Sequence, residues 1–221
     1  VRFHLRGARS FPQNIAIIGV DEPSLDLLGR WPFPRGMQAQ LIDLMRHPSF
    51  SPKALGYDVL FENKNLQDVA GDEALIFQAK NSEKKIILAY FFEKGPRAIF
   101  DQDEDKEKLL ESFALPPSLE LPEQLETADG VSLPFPALSE NTELAFVNTP
   151  VDRDGRTRKI QLVMGYQGKV YPSMDLMLAL HELGASIQDL KLTKKSVIIQ
   201  KKEIILREIP ITDRGEMLIH F

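Results

Sequence analysis

The sequence of 221 residues contains no cysteine, which excludes disulfide bonds and thiolate metal sites and is compatible with either side of a membrane. It also lacks a signal peptide and any apolar run long enough to span a bilayer. The net charge is −5, and no basic cluster is dense enough to follow a phosphate backbone. We therefore expect no nucleic-acid partner.

Common enzyme signatures are missing as well. The sequence has no Gly-rich phosphate loop, no HExxH and no GxSxG, and its four histidines show no paired metal spacing. An acid that follows a strand, as Asp21 does, is typical of aspartate phosphatases, but Pro23 stands where their second acid would be. We therefore expect no cofactor, no metal and no catalysis from this chain.

The hydrophobic content of 43% and the length fit one large domain covering residues 1–221. In the first half, the continuous apolar run 15–20 and the run 54–61 predict two buried strands, and 35–47 has the spacing of an amphipathic helix. Together they predict a parallel βαβ-like unit. Residues 68–80 predict another helix, and 85–92 predict a third buried strand.

The second half predicts mostly antiparallel strands. Residues 143–147 and 157–166 flank an Asp-Gly turn, which favours a hairpin, and 172–183 form one long buried helix. A further hairpin is predicted over 196–206, and a last strand over 216–221. The fold class is therefore α/β, with a mixed sheet covered by helices.

Residues 93–133 differ from the rest of the chain in composition. They combine dense charge with many prolines and little periodicity, apart from a charge-dense helix or coil at 101–111. We expect this segment to be a variable insertion, and the most irregular part of the protein.

Two acids end apolar strands. Asp21 follows the first predicted strand and Asp58 lies near the end of the second, so both should reach the C-terminal edge of the sheet, where ligands bind in open α/β sheets. Arg35 follows a proline-flanked loop and is the local cation for them. A polar ligand pocket or a metal site is one interpretation. In the other, Asp21 caps a helix and Asp58 pairs with Arg35 structurally. We expect Asp72 to be a solvated or capping acid.

The loop RWPFPR carries the only tryptophan, Trp31. One interpretation is a preorganised ligand lid with a flat apolar wall; the other is that Trp31 plugs the core while Arg35 begins a helix. Further along, the segment DRDGRTR invites a calcium interpretation, but Gly155 is fourth from Asp152 and the EF-hand spacing fails. Asn148 and Arg158, on either side of this turn, could reach the pocket.

Several of these segments carry a family resemblance. The strand followed by Asp-x-x-Ser-Leu and GRWPFPR resembles the start of the second type of CHASE domain, an extracytoplasmic sensing domain associated with bacterial cyclases and histidine kinases. The resemblance continues through ALGYDVLF, the acids and apolar residues at 72–75, Phe-Val-Asn at 146–148, DRDGRTR and Tyr-Pro-Ser at 171–173. It covers nearly the whole chain in the right order, with 93–133 unmatched.

The resemblance implies a ligand-sensing ectodomain of a bacterial transmembrane receptor, on the periplasmic or extracellular side. Membrane helices and the output domain would lie outside this chain, which we interpret as a fragment, and the receptor could be a homodimer. An unknown small ligand or a periplasmic protein would be the partner. The expected ligand-binding residues are Asp21, Ser24, Trp31, Arg35, Asp58, Asn148 and Arg158.

Two alternatives remain open on the sequence alone. One is a metal-dependent hydrolase that uses Asp21, Asp58 and Asp154. The other is a structural or protein-interaction domain in which these motifs only maintain the fold.

Overall fold

The computed structural model describes residues 13–50, 52–82, 85–95, 104–118, 120–152 and 154–219, without the side chains of 104–107. Its helices are α1 (Glu22–Leu28), α2 (Arg35–Met45), α3 (Val69–Asn81), α4 (Glu104–Glu111), α5 (Pro136–Ser139) and α6 (Met174–Leu183), with a 3₁₀ turn at Ile187–Asp189. Its strands are β1 (Ala54–Tyr57), β2 (Lys85–Glu93), β3 (Gly130–Ser132), β4 (Glu143–Phe146), β5 (Lys159–Gln161), β6 (Val163–Tyr166), β7 (Lys169–Pro172), β8 (Leu190–Leu192), β9 (Ser196–Lys201), β10 (Ile204–Pro210) and β11 (Glu216–Leu218).

The central sheet is organised around β2, the longest strand. β1 and β4 pair with β2 in parallel, while β3 pairs antiparallel with its last residues. The predicted α/β class with a mixed sheet is therefore confirmed. The parallel unit is β1–α3–β2, because the predicted first strand at 15–20 has not formed.

Successive residues of β2 face two separate cores. Ile86, Leu88, Tyr90 and Phe92 face the core that also contains buried residues of α2 and α3, whereas Ile87 and Ala89 face the core that contains α6. Because strand side chains alternate, a strand buried on both faces reads as an unbroken apolar run. This explains why KIILAYFF identified β2 correctly from the sequence.

Helix α6 lies on the second core and spans the sheet from edge to edge. The Ser173 side chain caps its N-terminus by accepting from Leu176 N–H, and Gly184 ends it with a left-handed φ of 63°. Near its C-terminus the His181 ring lies 2.6 Å from a carboxylate oxygen of Glu143, at the start of β4. This helix matches the long buried helix expected over 172–183.

The C-terminal half contains small antiparallel sheets. β9 pairs with β10 and with β8, which confirms the hairpin expected over 196–206. The hairpin expected around the Asp-Gly turn is wrong: β4 pairs with β2, and β5 pairs with β11. The turn itself forms, with Gly155 at a φ of 75°, but it connects two different sheets. Residues 220–221 of the expected last strand lie outside the described residues.

Residues 15–20, expected to form a buried strand, are exposed instead and belong to no strand. The side chain of Ile17 is 89% exposed. A continuous apolar run is the pattern of a strand that is buried on both faces, and such burial needs neighbours that this segment does not have within the described chain.

The segment 93–133 is more integrated into the fold than its composition suggests. Leu110, Leu115 and Leu133 are buried, and β3 lies within the segment. Backbone groups of its irregular part bond to other elements: Leu115 N–H donates to Val170, and Ala128 N–H donates to Gly165. The described part is therefore mostly irregular but anchored, and 96–103 lie outside the described residues. Within the ranges that the structure describes, no helix is long and apolar enough to cross a membrane.

Two buried tyrosines differ in how their hydroxyls are satisfied. The Tyr57 hydroxyl donates to Gln38 Oε1 at 3.3 Å, and Gln38 in turn donates to the carbonyl of Phe33 at 2.9 Å. The Tyr90 hydroxyl is fully buried and has no hydrogen-bond partner among the described residues. Burial raises the pKa of Tyr90 well above its ordinary value, and Tyr171 raises it further.

We expect the two Tyr→Phe variants to behave differently in urea unfolding. Tyr90→Phe removes an unsatisfied buried hydroxyl, so the free energy of unfolding should stay the same or rise by up to about 1 kcal/mol. Tyr57→Phe should lower it by about 1 kcal/mol, because Gln38 loses its donor. A loss in Tyr90→Phe as large as that in Tyr57→Phe would contradict this account.

Candidate functional site

The carboxyl edge of the parallel strands is the candidate site. Asp58 follows β1, Asn148 follows β4, and Phe146 bridges to Ser173, so that the N-terminus of α6 lies at the same edge. The loop that follows β1 continues through Phe61 and Asn63, and it is contacted by Arg35 at the start of α2. Two polar clusters therefore flank this loop.

The first cluster is built on Arg35, which pairs with Asp72. The guanidinium donates to Asp72 Oδ1 at 2.5 Å and to the carbonyl of Asn63 at 2.6 Å. The second oxygen of Asp72 accepts from the Asn65 N–H at 2.6 Å. Asp68, one helical turn earlier, caps α3 through Gly71 N–H and also accepts from the backbone N–H of Arg35. The cluster thereby joins the N-termini of α2 and α3 to the loop after β1.

The surroundings of Arg35 are aromatic and largely dry. Its guanidinium carbon lies 5.3 Å from the ring centroids of both Phe61 and Phe135, a cation–π arrangement. The side chains of Arg35 and Asp72 are only 15% and 5% exposed. A cation held by a buried carboxylate, a carbonyl and two rings has its contacts within the protein. The expectation that Arg35 neutralises Asp21 and Asp58 is therefore wrong; its partner is Asp72, which is buried rather than solvated.

Asp21 is exposed and caps α1. Its carboxylate accepts from the Ser24 N–H at 3.0 Å and from the Ser24 hydroxyl at 2.6 Å. The side-chain and backbone hydrogen bonds of Ser24 lower the pKa of Asp21. Asp21 therefore caps the helix as one interpretation expected, whereas Arg35, which the same interpretation paired with Asp58, bonds to Asp72. Asp21 and Ser24, both predicted site residues, bond to one another at the surface.

Asp58 lies close enough to Asp175, in the first turn of α6, for its charge to act on that carboxyl group. Loss of hydration raises the pKa of Asp175, its own backbone N–H opposes that effect, and the charge of Asp58 raises it further. Both residues are exposed, so water partly screens the repulsion. No salt bridge joins either acid to a cation within the described chain. The two acids form the second cluster, and it is electrostatically unbalanced.

Asn148 extends the hydrogen bonding of β2 beyond the end of β4. Its Oδ1 accepts from the Phe92 N–H at 2.8 Å, and its Nδ2 donates to the Phe92 carbonyl at 2.8 Å. One side-chain amide thus supplies both bonds that a neighbouring strand would make. Its position at the carboxyl edge is as expected, and its donor and acceptor both bond to β2.

Arg158 forms ion pairs with two acids of the turn that immediately precedes it. Its guanidinium donates to Asp152 at 2.7 Å and to Asp154 at 2.6 and 3.0 Å. The bonds from Arg158 lower the pKa of Asp154, and the two acids raise the pKa of Arg158. An ion-paired turn therefore accounts for Asp152, Asp154 and Arg158.

Trp31 does not plug the core. Trp31 is 45% exposed, and its ring packs edge-to-face with the ring of Phe33, with 5.3 Å between the ring centroids. Phe33 is the buried aromatic residue of this loop. The alternative interpretation of Trp31, as an exposed apolar wall, is compatible with this position.

The metal-dependent hydrolase alternative needs Asp21, Asp58 and Asp154 together. Asp21 bonds to Ser24 and Asp154 to Arg158, whereas the charge of Asp58 acts on Asp175. Within the part of the chain that the structure describes, no three His, Asp or Glu side chains are grouped so that they could hold a metal ion. The geometry gives this alternative no support.

Comparison with known families decides the class of the protein. The CHASE2 domain profile matches residues 1–221, the whole chain. The chain belongs to the CHASE2 domain family. CHASE2 domains are extracytoplasmic sensory domains of signalling receptors and are not themselves catalytic. No curated protein and no solved structure matches this CHASE2 domain.

The roles of Asp72 and Asp175 in this CHASE2 domain were not predicted from its sequence. Asp72 lies one helical turn after the N-cap Asp68, so both carboxylates lie on the same face of the helix. This spacing is visible in the sequence and could have indicated that the two acids act together. Asp175 lies two residues after the N-cap Ser173, where an acid is common for capping reasons alone. Nothing in its local sequence indicates that Asp58 is close to it.

Replacing Arg35 tests how much the first cluster stabilises the fold. Arg35→Ala leaves the buried Asp72 carboxylate without its cation, so we expect a loss of about 3 kcal/mol in the free energy of unfolding in urea. Arg158→Ala is the matched control, because its ion pairs are exposed, and it should change stability little. Equal effects of the two variants would contradict the distinction.

The second cluster predicts a dependence on pH. A carboxyl group whose pKa is raised in the folded state stabilises the fold fully below its ordinary pKa of 3.8, and that stability is lost as the pH rises through the raised value. Asp58→Asn should lower the pKa of Asp175 partway toward 3.8, as measured by carbon-13 NMR titration of the carboxyl group. Asp26→Asn, which removes an exposed acid of α1, should leave the pKa of Asp175 unchanged.

Proposed function

We propose that this CHASE2 domain is the ligand-sensing ectodomain of a bacterial transmembrane receptor, located in the periplasm or on the outer face of the membrane. The output, of cyclase or kinase type, would be carried outside this chain. The observation that supports the proposal most directly is the family match over residues 1–221. Membrane helices that flank this domain in the receptor would attach it to the membrane.

The carboxyl edge of the sheet is the proposed ligand contact. The charge of Asp58 raises the pKa of Asp175, and no salt bridge to a cation offsets it among the residues that the structure describes, so a ligand that brings positive charge would relieve the repulsion on binding. Trp31, Asp21 and Ser24 are exposed or half-buried residues of the chain that precedes α2 and are the remaining candidates for ligand contact. Arg35, Asn148 and Arg158 already bond within the protein, and we propose that they support the site rather than bind directly.

Binding would act by shifting a conformational equilibrium. A ligand can shift it only by the difference between its affinities for the two states. Contacts at Asp58 and Asp175 involve both the end of β1 and the start of α6, so a ligand that joins them favours the state in which these two elements are close. Sensing would therefore depend on a change in the distance between the end of β1 and the start of α6.

A thermal-shift screen with a small panel of cationic probes tests the site. Spermidine, putrescine and choline should raise the unfolding temperature of the wild-type chain, whereas citrate should not. Asp58→Asn should abolish the rise, because the negative charge that binds the probe is lost. Asp26→Asn is the control for general charge effects and should keep it.

The same variants test function in the full-length receptor. Asp58→Asn should change basal output or its response, whereas Asp26→Asn should not. Should Asp58→Asn leave both output and probe binding unchanged, the proposed site is wrong.

A further inference from the structure

The C-terminal end of α6 is attached to the central sheet through a histidine. His181 lies in the last turn of the helix, and its Nε2 is 2.6 Å from a carboxylate oxygen of Glu143, the first residue of β4. The other carboxylate oxygen of Glu143 is 3.5 Å from the ammonium group of Lys85, the first residue of β2. The side chains of His181 and Glu143 are 18% and 22% exposed, so water screens their contact less than a contact at the open surface.

The charge of this contact depends on whether the histidine ring is protonated. Histidine is the side chain whose ordinary pKa, about 6.5, lies between pH 5 and pH 8. A neutral ring can donate a hydrogen bond to Glu143, whereas a protonated ring forms an ion pair with it. The last turn of a helix also favours a cation, because the carbonyl groups there carry partial negative charge. Protonation of His181 therefore strengthens the attachment of α6 to β4.

The carboxyl group of Glu143 already responds to this histidine. Burial on its own would raise the pKa of Glu143, but the hydrogen bond and charge of His181, together with the charge of Lys85, outweigh burial and lower it. An interaction between two titrating groups is reciprocal, so the two charged forms stabilise each other.

The other charged groups near this end of α6 have partners elsewhere. The helix packs against β1, β2 and β4. Lys53, just before β1, pairs with Glu182, and Lys201 of β9 donates to the carbonyl of the residue that caps the helix. Lys85 of β2 shares the carboxylate of Glu143 and so opposes a charge on the ring. Within the described ranges, the charged group that bonds to the ring is therefore Glu143.

The opposite end of α6 responds to protons in the same direction. Loss of hydration raises the pKa of Asp175, and the charge of Asp58 raises it further. Protonation of Asp175 removes that repulsion at the first turn, while protonation of His181 adds an attraction at the last turn. Acidification thus favours the contact of α6 with the sheet at both of its ends.

We propose that α6 is a proton-responsive element, in which protonation of His181 holds the last turn of the helix against Glu143 at the start of β4. The inference rests on the proposed sensory function for its physiological meaning, because a domain outside the cytoplasm is exposed to the pH of its surroundings. Glu182, the next residue, bonds to Lys53 and to the side chain of Asn14, so a shift of the last turn reaches both of these segments. As with any ligand, the proton shifts the equilibrium only by the difference between its affinities for the two states.

Thermal unfolding of the 221-residue chain at about pH 5.5 and about pH 7.5, on either side of the usual histidine range, tests the proposal. At the lower pH the wild type should unfold about 2–4 °C above His181→Gln, and at the higher pH the difference should be much smaller, because the charge of the ring is lost as the pH rises. His47→Gln is the matched control, since His47 is exposed after α2, and it should keep the wild-type dependence on pH.

Two further measurements separate the proton from the packing of the ring. His181→Lys carries a charge at both pH values, so its unfolding temperature should exceed that of His181→Gln by the same amount at both. In carbon-13 NMR titrations, His181→Gln should raise the pKa of Glu143, and His47→Gln should leave it unchanged.

Equal losses of unfolding temperature in His181→Gln at the two pH values would overturn the proposal, because the ring would then act without its charge. In the full-length receptor, output should differ between the two pH values, and His181→Gln should reduce that difference. The same output in the wild type and in His181→Gln at both pH values would overturn the regulatory role. These measurements use no cationic probe, and Asp58→Asn should keep the effect of His181, so failure here is distinct from failure of the proposed ligand site.

Discussion

The central constraint on this protein is the burial of β2 on both faces and along both edges. Its buried even-numbered residues face α2 and α3, Ile87 and Ala89 face α6, and its edges pair with β1, β3 and β4. Each neighbouring element needs β2 in place to complete its own core. Even the irregular chain after β4 is held by it, since the amide of Asn148 occupies the position of a paired strand at Phe92.

The same constraint explains which strands the sequence could predict. Residues 85–92 and residues 15–20 are both unbroken apolar runs, and the pattern favours a doubly buried strand in each case. Only the first has neighbours on all sides, because helices from both halves of the chain close over it. An apolar pattern predicts that a segment would be stabilised by burial. It does not show whether other elements of the fold provide the apolar surface against which the segment could pack.

The site shows a related limit. The sequence placed Asp58 at the end of a strand and offered a helix cap as one interpretation of Asp21, because these follow from strand ends and from capping rules. It assigned Arg35 the wrong partner, since the choice between Asp58 and Asp72 depends on how α3 packs against α2. The effect of Asp58 on Asp175 acts between residues more than a hundred positions apart and leaves no local signal in the sequence.

Helix α6 gives these separate features a mechanical relation. Its first turn carries Asp175, which lies within reach of the charge of Asp58. Its last turn carries Glu182, which forms an ion pair with Lys53 just before β1 and whose pKa is lowered by hydrogen bonds from Lys53 and Asn14. A helix of ten residues is a rod about 15 Å long that tilts more easily than it bends. A tilt that draws its first turn toward β1 moves its last turn the opposite way, together with the chain that enters the domain there. A change at Asp58 and Asp175 would therefore be coupled, through α6, to the position of the chain near Asn14.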